Sequence, residues 1–518
     1  MEKLKTKGSQ KLHQILEEQG FLIYPIKGIS MLPLLVEGED TVKVVPLTKG
    51  EVLNIYDCAL YHNLSDSYTL HRVIGVHDKY YDIVGDNNNN LEHVKKSEVI
   101  GKMVGYFKKK RYVDCESSEY QEYVNIIRYS DYKTRKKIYP ALRLEWKFLY
   151  ALIKLALNVD SEKAIEFINE NNNEVNYKYL LNLAKRHTIV ATVGAFIDKD
   201  SCPKDIYDEF QMGYNANLRK SLLFQNERKK IIQDFEKDNI DYCYLKGIVI
   251  NDLYPKIGMR EFADNDILMR KDDWEKVKNI FVKYQYEVVA LHGVHDSYHK
   301  TPFYNFEMHR KLFDEDFKFS KYFNTVWSRL IKVSDNEYKM KDEDFYCYFL
   351  AHFYKHYERG GAGIRSFIDK YLIDKYICNK DNFDRDYVNK ILKAEKLDKF
   401  EAKVNEILKP IFYDNCDYND YDYMNVLYMM ESGTYGILRH SVNNAIDRNG
   451  GSKIKYIFNR IFIPYRKMKN IYPVLRYLPF LLPIFWIVRL MKVLFKKTSR
   501  DNFKGEVRAL KEYDGNNL

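Results

Sequence analysis

Apolar and polar positions alternate with a period of two along the first hundred residues, which is typical of strands with one buried face. The alternating segments are rich in β-branched residues and read DTVKVVPL, VLNIYDCALYHN, YTLHRVIGV, KYYDIVGDN and VIGKMVGYF. Turn-forming residues separate them at Gly50, 63–67, Asp78 and 87–90. The pattern predicts a small all-β domain between Gly28 and Lys108.

After a polar, charged stretch at 114–137, the spacing changes to the helical period in ALRLEWKFLYALIKLALNV. Residues 241–313 then alternate strand-like and helix-like segments. The strand-like ones read DYCYL, NDILM, YEVVAL (286–291) and YNFEMHRKLF (304–313), and the helix-like ones IVINDLY and DDWEKVKNIFVKY, which predicts a small α/β sheet. From Asp342 onward, the segments LAHFYKHY, IRSFIDKYLIDKYI and YVNKILKAEKL have amphipathic helical spacing.

These changes of pattern predict a multidomain chain with four parts. They are an all-β domain at 1–113, a linker at 114–140, an α+β domain with preceding helices at 141–335, and a helical C-terminal subdomain with a basic, apolar tail at 336–518. A length of 518 residues agrees with several domains, because single hydrophobic cores stop growing near ~250–300 residues.

Composition narrows the functional classes. The chain is 46% hydrophobic and 30% charged, as globular proteins are, and its net charge of +10 is modest for its length. We therefore expect no dedicated nucleic-acid binding. Its 7 cysteines form no CxxC pair, which argues against a zinc site and a disulfide framework and favours a reducing cytoplasm. Residues 1–20 are polar and lack the apolar core of a signal peptide.

Three short motifs in the β domain carry candidate chemistry. They are GISMLP with Ser30, YTLHR with His71, and DIVGDN with Asp86. In this order and spacing they resemble the boxes of the signal peptidase and LexA-like (S24/S26) serine peptidases. The resemblance implies that Ser30 is the nucleophile, that His71 is its general base, and that Asp86 orients the imidazole. The alternative is that the three are a turn serine, a strand histidine and an Asx-turn residue.

Two departures from the peptidase family bear on the substrate. Signal peptidases are tethered to the membrane beside their active site, whereas this sequence shows no N-terminal anchor. The expected substrate is therefore either a peptide or protein in the cytoplasm or the chain itself. The family's G-D-x-V strand also reads G-E-D-T-V, with Glu39 inserted before Asp40, a change that could alter the substrate cleft.

A second constellation lies in the α/β region. The stretch YLKGIVINDLYPKIGMREFADNDILMRKDDWEKV, followed by FEMHRKLF and AHFYKHYERGGAGIRSFIDKY, resembles an uncharacterised bacterial nucleotidyltransferase family with the polymerase-β-like fold. Asp264 and Asp266 stand two apart on a strand and can share metal ions. The resemblance implies that Glu307 is the third carboxylate and either binds metal or accepts the proton of the acceptor.

The same resemblance implies a nucleoside triphosphate substrate such as ATP, with Mg²⁺ or Mn²⁺ as cofactor. Lys246 and Gly247 stand where the family fold has a Gly-Ser loop that holds the triphosphate. Arg260, just before the acidic pair, and Arg365, in GGAGIR, are further candidates for binding phosphate.

The tail combines basic and aromatic residues. Arg476, Arg489, Lys492 and three prolines interrupt its longest apolar run, 471–495, so we do not expect this run to span a membrane. Either 471–497 contacts the inner face of the membrane peripherally, or a terminal helix packs onto the helical subdomain.

The sequence therefore predicts a bifunctional enzyme, a serine endopeptidase joined to a Mg-dependent nucleotidyltransferase. Two alternatives stay open. In one, only one half is catalytic and the other is a recognition module. In the other, the chain is a non-enzymatic scaffold that binds a peptide and a nucleotide.

Overall fold

The computed structural model divides into two compact units, Met1–Ala141 with Met491–Leu518, and Leu142–Leu490. It describes residues 10–495 except 29, 49, 63–67, 88–90, 109–110, 130–143, 262, 292, 316, 318, 413–422 and 435, and also 503, 505–507, 509–510 and 513.

The first unit contains an eight-stranded antiparallel sheet. Its helices are α1 (Gln10–Gln19) and α2 (Ser118–Tyr129), and its strands are β1 (Leu22–Pro25), β2 (Thr41–Val45), β3 (Cys58–His62), β4 (Tyr68–Val76), β5 (Tyr80–Val84), β6 (Glu92–Lys95), β7 (Val99–Lys108) and β8 (Arg111–Asp114). The strand order is β1-β2-β7-β3-β4-β5-β6, and β8 pairs with β7. The prediction of a small all-β domain is confirmed at this level.

The apolar positions of the alternating segments form the core of this unit. Val42 and Val44 of β2 are fully buried with Leu35, whereas the residues between them are partly exposed. Strands β2, β3, β4, β5 and β7 lie within the predicted segments. Strands β1, β6 and β8 have four residues each, too few to establish a period of two.

Helix α2 lies in the segment predicted to be a linker. Its residues Tyr120, Val124 and Ile127 are buried, and the Tyr120 hydroxyl accepts a hydrogen bond from Arg72 Nη1 at 3.0 Å. The overall polarity of 114–137 conceals these residues, because their spacing of three and four places them on one helical face. This part of the predicted linker therefore packs against the β domain.

The second unit surrounds a seven-stranded mixed sheet of order β11-β12-β13-β10-β9-β15-β14. The strands are β9 (Tyr242–Tyr244), β10 (Asn265–Met269), β11 (Glu287–Ala290), β12 (His295–Lys300), β13 (Tyr304–His309), β14 (Ile331–Lys332) and β15 (Glu337–Lys339). Strand β10 is buried along its whole length. It pairs in parallel with β13 and in antiparallel with β9. The mixed α/β architecture expected for this region is confirmed.

Helices precede and follow the strands of this sheet in the sequence. Before and within the sheet region they are α3 (Leu144–Ala156), α4 (Ser161–Asn171), α5 (Tyr177–Arg186), α6 (Val190–Val193), α7 (Lys204–Lys237), α8 (Lys246–Asn251), α9 (Trp274–Lys283) and α10 (Ser320–Phe323). After it they are α11 (Asp342–Gly360), α12 (Ile364–Ile373), α13 (Arg385–Ala394), α14 (Asp398–Phe412), α15 (Tyr423–Ser432), α16 (Leu438–Arg448), α17 (Lys453–Ile461), α18 (Tyr465–Ile471) and α19 (Leu482–Phe495).

The strand β12 is absent from the sequence prediction, which has a strand at 286–291 followed directly by one at 304–313. Its sequence, HDSYHK, is polar, so its apolar pattern is weak, and the hairpin with β13 supplies its partners. Among the described residues, no helix is both long and apolar enough to cross a bilayer.

Candidate functional site

Three carboxylates converge at one end of the central pair of strands in the second unit. Asp266 lies on β10 directly beside Glu307 of β13 in the parallel register, and Asp264 lies just before β10. One ligand oxygen from each of the three lies within 4.8 Å of the others. The structure thus brings together the carboxylates that the sequence singles out as metal ligands.

Asp266 is hydrogen-bonded to two basic side chains. Its Oδ1 accepts hydrogen bonds from Lys246 Nζ at 2.9 Å and from His309 Nε2 at 2.7 Å. The side chains of Asp266 and His309 are almost completely buried. Although burial raises the pKa of Asp266, the charge of Lys246 and the hydrogen bond from His309 hold it well below its usual range.

The other two carboxylates are destabilised in their charged forms. Burial, followed by the charges of Asp266 and Asp264, raises the pKa of Glu307 to about 7. Burial and the charge of Asp266 also raise the pKa of Asp264. The three groups therefore form a site whose full ionisation is unfavourable unless positive charge enters it.

This donor set fits a hard divalent cation. Mg²⁺ and Mn²⁺ bind carboxylate oxygens, and a cation would relieve the mutual repulsion that raises the pKa of two of the three groups. His295, Glu307 and His309 form a second, overlapping group whose ligand atoms lie within 4.8 Å of one another. The residues present can hold one cation through oxygen, and Glu307 belongs to both groups.

Lys246 is positioned by an unusual backbone. It is the first residue of α8, directly after β9, and its φ of 36° lies in the left-handed region, which costs a non-glycine residue on the order of 1 kcal/mol. The charge of Asp266 raises the pKa of Lys246 against the opposing effect of burial. Lys246 is thus fixed as a cation at the edge of the acidic cluster.

Arg260 and Arg365, both predicted to bind phosphate, have protein partners. Arg260 is buried and donates from Nε and Nη2 to the two oxygens of Asp369, at 2.9 and 2.8 Å. Arg365 Nη1 donates to the Glu261 carbonyl at 2.8 Å. Both arginines hold the loop that leads into Asp264 against α12, so they position the acidic cluster.

Gly247 lies at a small surface hollow with room for about one water molecule, roughly 10 Å³. The hollow is lined by Ser221, Gln225, Arg228, Gly247, Ile248 and Asn251. Arg228 donates from Nη1 to Asn265 Oδ1 at 2.8 Å, which joins the hollow to the residue between Asp264 and Asp266. A Cβ at Gly247 would lie 3.0 Å from Arg260 Nη1, so the glycine leaves room for that guanidinium.

In the first unit, Ser30 and His71 face each other across Gly85. The position that a Cβ of Gly85 would occupy is 2.9 Å from Ser30 Cβ and 3.1 Å from His71 Nε2. Ser30 lies in a turn between β1 and β2, and its carbonyl accepts a hydrogen bond from the Asn87 N–H at 2.8 Å. No side chain of residue 85 separates the serine from the imidazole, because that residue is glycine.

The third predicted member, Asp86, does not orient His71 in this structure. Its two oxygens accept hydrogen bonds from Arg72 Nε and Nη2, each at 2.7 Å, and both side chains are completely buried. Successive residues of a strand point to opposite faces, so Asp86 lies on the side of Arg72. A buried guanidinium without a carboxylate would be costly, and Asp86 fills that role.

Glu92, on β6, contacts His71 instead. Its Oε1 lies 2.9 Å from His71 Nδ1, and its Oε2 accepts a hydrogen bond from the Tyr61 hydroxyl at 2.7 Å. Burial raises the pKa of Glu92, but the hydrogen bond and charge of His71 lower it below its usual value. His71 therefore lies between Ser30 and Glu92.

Sequence reasoning missed Glu92 and His309. His309 is two residues beyond Glu307 on β13, so the period of two predicts that His309 lies on the same face as Glu307. For Glu92 the signal is weaker. Strand β6 pairs in antiparallel with β5, and Glu92 of β6 lies opposite Ile83.

Comparison with known proteins bears on the second unit. Residues 173–412 match the family model of uncharacterised nucleotidyltransferases. No curated protein matches the chain. Among solved structures, the antibiotic-resistance factor ANT(2'')-Ia is similar over 34% of this chain and 91% of its own, with 10% identity and a TM-score of 0.26, which carries no structural argument. Residues 173–412 of this chain therefore contain a nucleotidyltransferase-like domain.

Proposed function

We propose that the second unit catalyses metal-dependent transfer of a nucleotidyl group from a nucleoside triphosphate to an acceptor hydroxyl. The observation that carries this proposal is the convergence of Asp264, Asp266 and Glu307 within 4.8 Å, inside the region that matches nucleotidyltransferases. Mg²⁺ or Mn²⁺ bound by these carboxylates would supply charge stabilisation to the transferring phosphoryl group.

The remaining residues have separate roles in this reaction. The acceptor oxygen bonds to the α-phosphorus while the bond from that phosphorus to the bridging oxygen breaks, and pyrophosphate leaves. Glu307, directly beside Asp266 on the neighbouring strand, accepts the acceptor's proton. Lys246, whose ammonium lies against Asp266, offsets negative charge on the triphosphate.

The polar side chains around the small hollow beside Gly247 favour a nucleotide as the second ligand. Arg228, Gln225 and Ser221 of α7 line it, and together they offer a guanidinium, an amide and a hydroxyl to phosphate or sugar oxygens. Arg228 also contacts Asn265, so a ligand held there would lie close to the acidic cluster.

Thermal denaturation of the full chain tests this proposal. We expect Mg²⁺ or Mn²⁺, and more strongly the metal with ATP, GTP, CTP or UTP, to raise the melting temperature, since ligands that bind the folded state stabilise it. The double variant Asp264→Asn/Asp266→Asn should lose this effect. Asp272→Asn/Asp273→Asn, an acidic pair just after β10, is the matched control and should keep it. Stabilisation retained in the first variant would contradict the proposal.

A second activity, serine peptidase chemistry in the first unit, is favoured by the approach of Ser30 and His71 across Gly85. In this proposal His71 removes the hydroxyl proton of Ser30 as the oxygen attacks a peptide carbonyl. Glu92, rather than Asp86, stabilises the protonated imidazole through Nδ1. The peptide C–N bond then breaks, the leaving amine takes the proton from His71, and the acyl group stays bound to Ser30 as an ester until water hydrolyses it.

Labelling with a serine-directed fluorophosphonate probe separates this activity from the first. We expect wild-type protein to be labelled at Ser30, and Ser30→Ala and His71→Ala to lose labelling. Glu122→Gln, a change at an exposed residue of α2 in the same unit, is the control. A wild-type chain that binds metal and nucleotide but remains unlabelled would leave the first unit a recognition module. A chain that binds a peptide and a nucleotide but shows neither labelling nor nucleotidyl transfer would be a scaffold.

A further inference from the structure

The C-terminal part of the second unit exposes an unusual number of large apolar side chains. Within residues 453–490, the side chains of Ile454, Phe458, Tyr477, Phe480, Ile484 and Ile487 are each more than half exposed. Single exposed apolar residues are ordinary, but a concentration of them in one short segment marks an interaction surface.

The exposed residues follow the helical period. In α17, Ile454, Ile457 and Phe458 share one face, and all three are exposed, whereas Tyr456 is the buried residue of that helix. In α19, Ile484, Ile487 and Leu490 repeat the pattern. An amphipathic helix normally turns its apolar stripe inward, so both helices present to solvent the face that usually binds a partner.

Contacts inside the segment show that it is folded. Trp486 donates from Nε1 to the Ile463 carbonyl at 2.8 Å, and the Tyr465 hydroxyl donates to the Leu475 carbonyl at 3.0 Å. Met468 and Leu475 are completely buried. The exposed apolar side chains therefore lie on a folded segment.

The charged side chains of the segment are all basic. Residues 453–490 contain 8 Lys and Arg and no Asp or Glu, whereas the whole chain has 83 basic and 73 acidic residues. Such a surface attracts anionic partners and repels a second copy of itself. Nucleic acid would use the charge and leave the exposed aliphatic side chains in water. An anionic bilayer uses both, because headgroups meet the Lys and Arg and the acyl boundary takes the apolar side chains.

We propose that residues 453–490 form a docking surface for anionic phospholipid bilayers, with the exposed faces of α17 and α19 inserted at the level of the headgroups. This inference is independent of the proposed nucleotidyl transfer, since none of its residues lies in the acidic cluster.

Co-flotation of the full chain with vesicles tests the proposal. We expect binding to vesicles of phosphatidylcholine mixed with phosphatidylglycerol, and little binding to phosphatidylcholine alone. Ile454→Ser/Phe458→Ser/Ile487→Ser should weaken binding roughly tenfold or more. Ile165→Ser/Met212→Ser/Val289→Ser is the matched control, because these three are exposed apolar residues elsewhere in the same unit, and it should bind as the wild type does.

A second variant examines the charge. Arg466→Gln/Lys467→Gln changes two exposed residues of α18 and should reduce the preference for phosphatidylglycerol. Absence of vesicle binding by the wild type, or equal binding by the apolar variant, would overturn the proposal. So would a self-association that the apolar variant abolishes in the absence of vesicles, since the occupant would then be a second copy.

Discussion

Burial and the neighbouring negative charges act on the pKa of Glu307 in the same direction. Both raise its pKa from 4.5 to about 7. In the metal-free protein, its contribution to stability is therefore fully present below about pH 4.5 and is lost as the pH rises through about 7.

Glu307→Gln should remove this dependence. We expect the variant to melt at a higher temperature than the wild type at pH 8 without metal, by on the order of 2 °C, and the difference to shrink toward pH 5. Melting curves in the presence of a chelator measure it. The result would be contradicted if the difference were the same at both pH values, because the Glu307 carboxyl would then keep an ordinary pKa.

Gly85 is the residue on which the approach of Ser30 to His71 depends. In Gly85→Ala, the new Cβ would meet the Ser30 carbonyl at 2.6 Å and Ser30 Cβ at 2.9 Å, so the turn must move. We expect labelling of Ser30 by a fluorophosphonate to fall roughly a hundredfold, since misplacement by about 1 Å can cost that much. Gly20→Ala is the control for general destabilisation, because its Cβ would meet nothing within 4 Å although its φ of +72° strains an alanine.

At the scale of elements, α2 belongs with the β domain although it lies in the predicted linker. It buries Tyr120, Val124 and Ile127, and the Tyr123 hydroxyl donates to Asp86 at 2.9 Å. A fragment 1–141 should therefore be more stable than a fragment 1–114, by on the order of 3 kcal/mol, because the shorter fragment lacks three apolar side chains that cover the sheet.

Urea denaturation of the two fragments measures this difference. Within the longer fragment, Tyr120→Ala/Val124→Ala should reproduce most of the loss. Glu122→Ala changes an exposed residue of the same helix and should have little effect. Equal stability of the two fragments would show that α2 does not support the sheet.

At the scale of the whole molecule, the division into two units has a thermodynamic consequence. Metal and nucleotide are proposed to bind only the second unit, so they should shift only the unfolding of that unit. Calorimetry of the full chain should show two transitions, of which Mg²⁺ with a nucleoside triphosphate moves one upward. A single transition that moves as a whole would indicate that the two units unfold cooperatively.

Much of the architecture could be predicted from local pattern. The alternation in the first hundred residues corresponds to β2, β3, β4, β5 and β7, and the change to helical spacing corresponds to α3. The short strands β1, β6 and β8 and the polar strand β12 could not be predicted, because four residues or a polar sequence carry no period. Hydrogen bonds with longer neighbours define these strands.

The sequence by itself determined most of the residue types at both sites and their order along the chain, since spacing on a strand pairs Asp264 with Asp266 and the resemblance to nucleotidyltransferases adds Glu307. Only the tertiary structure decided which groups meet. Asp86 pairs with Arg72, and Glu92 takes the place beside His71. The physical reason is that a completely buried guanidinium requires a carboxylate. Which carboxylate comes within reach depends on the register of strands that are distant in sequence.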